Sequence, residues 1–122
     1  MKKQWKIKKD VLQTIMDFSK ASYPNEFSGF LYVDDYVIND LYILPATKNY
    51  RHSTVIRLDL APMLLNLNGS VHSHPSGFGL PSKADIHFFS NKMINIITFH
   101  PFSLNDFKAY DKEGNLVFLK II

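Results

Sequence analysis

The sequence predicts an α+β fold, on three observations. Val11, Ile15 and Phe18 recur at helical spacing and mark one long amphipathic helix. About six short apolar runs of strand length follow, bounded by turn residues. Two shorter helical segments lie among those runs, and such a mixture is the α+β pattern.

Asp10 is the expected N-cap of the first helix, which runs to about Ala21 and ends before Pro24. Phe27 to Val33 suits a buried strand. Asp34-Asp35 reads as a turn and Tyr36 to Leu44 as the returning strand, so this pair is an expected hairpin. A strand is expected over roughly Ser53 to Arg57, then a short helix from Asp59 to Leu67 that Asn68-Gly69 stops. Ser70 to His74 reads as a strand running into a Pro- and Gly-containing loop, Pro75 to Pro81. Ser82 opens a helix through about Asn91. Met93 to Phe99, Phe107 to Asp111 and Leu116 to Ile122 read as further strands, the last two joined by Lys112-Glu113-Gly114-Asn115. Strand order is not legible at this level.

A length of 122 residues fits one domain, residues 1–122, and leaves no room for a second. Apolar residues make up 46%, with ten Phe and six Tyr as bulky core material, which suits a compact chain over a disordered one. The chain has no cysteine, which excludes disulfides, thiolate metal sites and cysteine nucleophiles together. Neither an apolar signal segment nor a run approaching the ~20 residues of a bilayer span is present, so no membrane role is expected and the cytoplasm is the expected location. Net charge is +3, and five of the first nine residues are lysine. That cluster reads as a solvated, fraying start to the chain. The remaining charges are mixed, so no nucleic-acid partner is expected.

The chemistry-bearing segment runs from Val71 to Asp85. His72 and His74 lie two apart on an expected strand, so both imidazoles share one face and can reach one ion. Eight residues beyond His74 comes Ser82, and three further on Asp85. If the loop folds the helix start back over the strand end, two nitrogens and a carboxylate oxygen converge. Three protein ligands with a fourth position open to water are the composition of a catalytic zinc site. A proton acceptor and donor are also needed, and Glu26 is the candidate, because a carboxylate beside an apolar strand calls for a partner or a role. Ser82 is a candidate hydrogen-bond donor to a developing oxyanion.

Each of these residues has a plainer reading. A lone His-x-His arises often by chance or for strand packing. Ser82 with Asp85 also fits a capping box, which starts a helix and nothing more. Glu26 on its own reads as a solvated loop residue. His52, His87 and His100 are expected to be surface or capping histidines, and Phe99 and Phe102 core.

Together the residues resemble the JAMM (MPN+) metalloprotease signature, in its short archaeal and bacterial branch. That signature has an upstream Glu, then His-x-His-Pro, then Ser and Asp at a fixed distance. Glu26, His72, His74, Pro75, Ser82 and Asp85 match it without a gap. Pro24-x-Glu26-x-x-Gly29-x-Leu31 is similar to the family's first strand, and the tail from Phe89 through His100-Pro101-Phe102 to Ala109-Tyr110-Asp111 to that of the short members. The resemblance implies one zinc ion on His72, His74 and Asp85, Glu26 as general acid/base and Ser82 supporting the oxyanion. It implies a curved sheet flanked by helices, related to the zinc nucleobase deaminases. The implied activity is hydrolysis of isopeptide or peptide bonds, and the implied partner a ubiquitin-like or sulfur-carrier protein. Two departures stand out: Val33 where many members carry a small residue, and no long insertion of the kind that selects particular ubiquitin chains.

Four rival readings compete with this one. Two His and one carboxylate also make the facial triad of non-haem iron oxygenases, but that leaves Glu26 without a role. Deaminase chemistry needs a P-C-x-x-C segment that a cysteine-free chain lacks. Non-catalytic scaffolds of the same fold have lost their ligands, which this chain keeps. The RadC-like group shares the His-x-His-Pro-Ser-Gly segment and is the alternative within the fold.

Overall fold

The computed structural model describes residues 3–43, 67–77, 79–85 and 91–122. The strand expected at 53–57, residues 59–66 of the next helix, and residues 86–90 of the Ser82 helix lie outside the described residues. The elements in chain order are β1 (Trp5–Ile7), α1 (Lys9–Ser22), β2 (Ser28–Asp34), β3 (Val37–Tyr42), β4 (Gly69–His74), β5 (Ile94–Phe99), β6 (Phe107–Tyr110), β7 (Leu116–Val117) and β8 (Leu119–Ile121). The strands form one mixed sheet in the order β7-β6-β5-β4-β2-β3-β1-β8. No helix among the described residues is long and apolar enough to cross a membrane.

Helix α1 lays Val11, Leu12, Ile15, Met16 and Ser19 against one face of that sheet. There they meet Ile7, Leu31, Ile38, Val71, Ile94 and Ile96, all nearly or fully buried. Ser19 donates to the Ile15 carbonyl at 2.8 Å, and its oxygen lies 2.9 Å from the Thr98 hydroxyl, so two polar groups are satisfied inside this core. The opposite face carries two smaller clusters, Phe30 with Leu67, and Ile97 with Tyr110. Apolar groups on both faces explain why β5 is buried from Ile94 to Thr98 without alternation.

Strand β4 is squeezed between β2 and β5. A Cβ on Gly69 would stand 2.9 Å from both Ile94 Cγ2 and Leu31 Cβ, so only glycine lets the three strands close up there. The β2–β3 hairpin turns at Asp35 and Tyr36, both with positive φ (47° and 64°), one residue later than the Asp34-Asp35 reading.

Three expectations are corrected. Asp10 is not the N-cap: Lys8 holds that position without a side-chain cap, and Asp10 sits in the first turn. Neighbouring strands bond the helix entry instead, with Lys8 N–H to the Ile38 carbonyl and Lys9 N–H to the Ile122 carbonyl at 2.8 Å. The lysine-rich start does not simply fray. It contains β1, parallel to both β3 and β8, with Ile7 fully buried and Trp5 packed 4.6 Å from Tyr36. Leu116 to Ile122 is not one strand. It breaks at Phe118, 76% exposed, into β7 on β6 and β8 on β1.

That break shapes the sheet. Strands β7 and β8 are the first and last in the order, yet Phe118 alone separates them in the chain. Two Cα steps span at most roughly 7 Å. The sheet therefore curls until its two ends meet.

Candidate metal centre

The central strands point two histidines out of the face opposite α1. Strand β4 pairs antiparallel with β2 and parallel with β5, which places His72 level with Ser28 on one side and Ile97 on the other. Residues at even positions of β4 share that face, and His74 follows His72 on it, level with Phe99. Between them, Ser73 is fully buried and turned the other way.

Asp85 arrives from the helix that Ser82 opens. The Ser82 backbone N–H donates to Asp85 Oδ2 at 2.8 Å, and the Asp85 N–H donates to Ser82 Oγ at 3.1 Å. This reciprocal bonding is the expected capping box. It leaves Asp85 Oδ1 at 3.2 Å from His72 Nε2 and Oδ2 at 3.4 Å from His74 Nε2, with the two Nε2 atoms 3.1 Å apart. All three side chains are half-buried.

These distances are those of a ligand set. A tetrahedral ion with donors at about 2.0–2.1 Å holds them roughly 3.3–3.4 Å apart. The two imidazole nitrogens, 3.1 Å apart, lie near that edge length, and the carboxylate brings one oxygen to 3.2 Å from His72 and the other to 3.4 Å from His74. His72, His74 and Asp85 each offer one donor atom, these atoms lie within 4.8 Å of one another, and among the described residues they form a group able to hold a metal ion. Two imidazole nitrogens, one carboxylate oxygen and no thiolate suit zinc, with a fourth position open. Burial pushes the Asp85 carboxyl up, but hydrogen bonding and charge from His72, with hydrogen bonds from Ser82, hold it well below the usual carboxylate range. This bias toward the charged form suits a group that could hold a cation.

Glu26 stands two residues before β2, and it is exposed. The desolvation argument for it therefore fails, because its carboxylate remains in water. Its position rests on register instead: Ser28 pairs with His72, and Ser73 N–H donates to the Phe27 carbonyl at 2.8 Å. Continuing that pairing by one residue puts Glu26 level with His74. Sequence reasoning missed Ser73, whose Oγ accepts the Phe27 N–H at 2.7 Å and fixes the chain next to Glu26. A serine held between two histidines on a strand was the available signal.

Of the remaining histidines, His100 is exposed and stacks on Tyr23 at 4.7 Å, as a surface histidine would. His52 and His87 lie outside the described residues. Phe102 is core, only 2% exposed, whereas Phe99 is half-buried.

A mixed curved sheet with two histidines and an aspartate converging at one strand end is the arrangement of a JAB-type domain. The family model for prokaryotic homologs of the JAB domain matches residues 8–112, and the chain belongs to this JAMM/MPN family. A Haloferax volcanii protein described as a probable metalloprotease is 32% identical over 123 residues, covering 93% of this chain and 76% of that one. A JAB1/MPN domain protein from Archaeoglobus fulgidus superposes with a TM-score of 0.78 at 28% identity, over 99% of this chain and all of that one. A second structure, described as JAMM, a metalloprotease-like zinc site in the proteasome and signalosome, gives 0.78 at 27% identity over 98% and 99% of the two chains.

Proposed function

We propose that this chain is a zinc metalloprotease that hydrolyses an isopeptide or peptide bond at the C-terminal tail of a ubiquitin-like or sulfur-carrier protein. The observation that carries this reading is the convergence of the His72 and His74 Nε2 atoms on the Asp85 carboxylate. Family membership and the description of the Haloferax volcanii relative support it. Zinc bound there supplies a Lewis acid that polarises the scissile carbonyl and activates water.

The chain's own groups do the rest. Glu26 accepts a proton from the attacking water and returns it to the leaving amine, as its place beside the His74 end of the strand pair allows. Ser82 Oγ accepts the Asp85 N–H, so its hydroxyl hydrogen can be donated to the oxyanion. The substrate tail is an extended peptide that lies along a strand beside the site, where main-chain bonds give affinity. A chain without cysteine fits a reducing compartment, and the cytoplasm is the proposed location.

The test is incubation of the purified protein with ubiquitin, ubiquitin-like and sulfur-carrier fusions, with and without a chelator, read by intact mass. Cleavage at the tail, stopped by the chelator and restored by zinc, is expected. Cleavage that persists under chelation overturns the metalloprotease reading. Zinc-loaded protein that leaves every fusion intact overturns the substrate class.

A further inference from the structure

We infer that Tyr110 and Gly79 form a staple that sets the zinc affinity of the site by holding the loop that delivers Asp85. The inference rests on the metal-site reading above and assigns a positioning role to two residues outside the ligand set.

The ligands differ in how firmly they are held. His72 and His74 stand on β4, which is bonded on both sides. Asp85 comes eleven residues after His74, across a loop whose Ser76, Gly77 and Leu80 are exposed. Bringing its carboxylate to the imidazoles means ordering that loop, at a conformational-entropy cost. Something must hold the loop down.

Gly79 is where it is held. Among the loop's described residues Gly79 is the buried one, and its carbonyl accepts the Tyr110 hydroxyl at 2.7 Å. A Cβ there would stand 2.8 Å from Phe99 Cε1 and 3.2 Å from Lys108 Cγ, so the loop backbone lies directly on the sheet. Tyr110 is only 5% exposed, packs on Ile97 and is in register with Asn95 on β5. Ile97 in turn is level with His72, and Phe99 with His74. The platform that carries the histidines therefore also fixes the loop that carries the third ligand.

A loop released from this staple spends part of its time with Asp85 away from the imidazoles. The apparent dissociation constant rises by the inverse of the fraction still in place. Removing the hydroxyl removes one neutral hydrogen bond, so Tyr110→Phe should weaken zinc binding about three- to tenfold. Gly79→Ala should weaken it further, since the Phe99 ring or the loop must move. Neither residue belongs to the proposed ligand set.

The experiment is a zinc titration against a competing chromophoric chelator, with wild type, Tyr110→Phe, Gly79→Ala, Asp85→Ala and Tyr110→Phe/Asp85→Ala. The expected result is weaker binding in the first two variants, with Tyr110→Phe making no difference once Asp85 is alanine. A general weakening of the fold would instead lower affinity equally in both backgrounds, and that result overturns the inference. So does unchanged affinity in Tyr110→Phe while wild type binds zinc. A wild type that takes up no zinc overturns the metal-site reading itself, and the two failures are thereby told apart.

Discussion

In the proposed mechanism the three ligands and Glu26 contribute separable properties, so single substitutions should divide binding from turnover. His74→Ala removes one of three donors, and zinc content after dialysis should fall to near zero. Glu26→Gln keeps the shape but cannot accept a proton. It should retain zinc while losing turnover by a factor of at least about 10², read by metal analysis and fusion cleavage on the same sample. Asp85 adds a dependence on pH in the metal-free protein. Its folded pKa is lowered, so the unfolded chain binds its proton more readily and stability rises with pH. That contribution is present above the ordinary value of 3.8 and is lost as pH falls below it. The difference in urea midpoint between wild type and Asp85→Asn should therefore stay constant from about pH 6 to pH 5 and shrink as pH falls below 3.8. The convergence of His72, His74 and Asp85 was legible because strand alternation and helix capping are local rules that fix direction over two or three residues. The surroundings of Glu26 were not, since its exposure depends on where β2 begins to pair.

Elements were legible where their own residues determine them and misjudged where a distant strand does. Helix α1, the β2–β3 hairpin and β4 to β6 follow from periodicity and turn residues. Strand β1 hides in a lysine run because its partners, β3 and β8, lie far along the chain. Asp10 is displaced as a cap for the same reason, since the Ile122 carbonyl already takes the Lys9 N–H. Ser73 shows how one element holds another. Its hydroxyl takes the Phe27 N–H, and Ser73→Ala would leave that buried donor unpaired at a cost of about 1–3 kcal/mol. The variant should show an earlier urea midpoint. It should also show a lower kcat with zinc affinity little changed, because the loosened segment carries Glu26 and not a ligand.

At the scale of the whole molecule the sheet is a ring with one join. Strand β8 lines β1, and Ile122 just after it accepts the Lys9 N–H at the start of α1, so deleting residues 118–122 strips one side of β1 and the start of the helix together. Trp5, the single tryptophan, sits on β1 and reports the damage. Its emission in the truncated chain should shift to the red, with a broadened thermal transition. This closure was the least legible feature of all, because Leu116 to Ile122 carries an unbroken strand pattern. The switch at Phe118 is decided by which edges are vacant.

The same join sets an order of events. Pairing Trp5 with Leu119 unites residues more than a hundred positions apart, among the most distant contacts the chain makes. Contacts that close so long a span form late and slow folding. During synthesis β1 must therefore wait for Leu119–Ile121 to leave the ribosome, with the β3 side of its pairing available well before the β8 side. Strand β4, with His72 and His74, lies between, so the candidate centre can be assembled before the ring is locked.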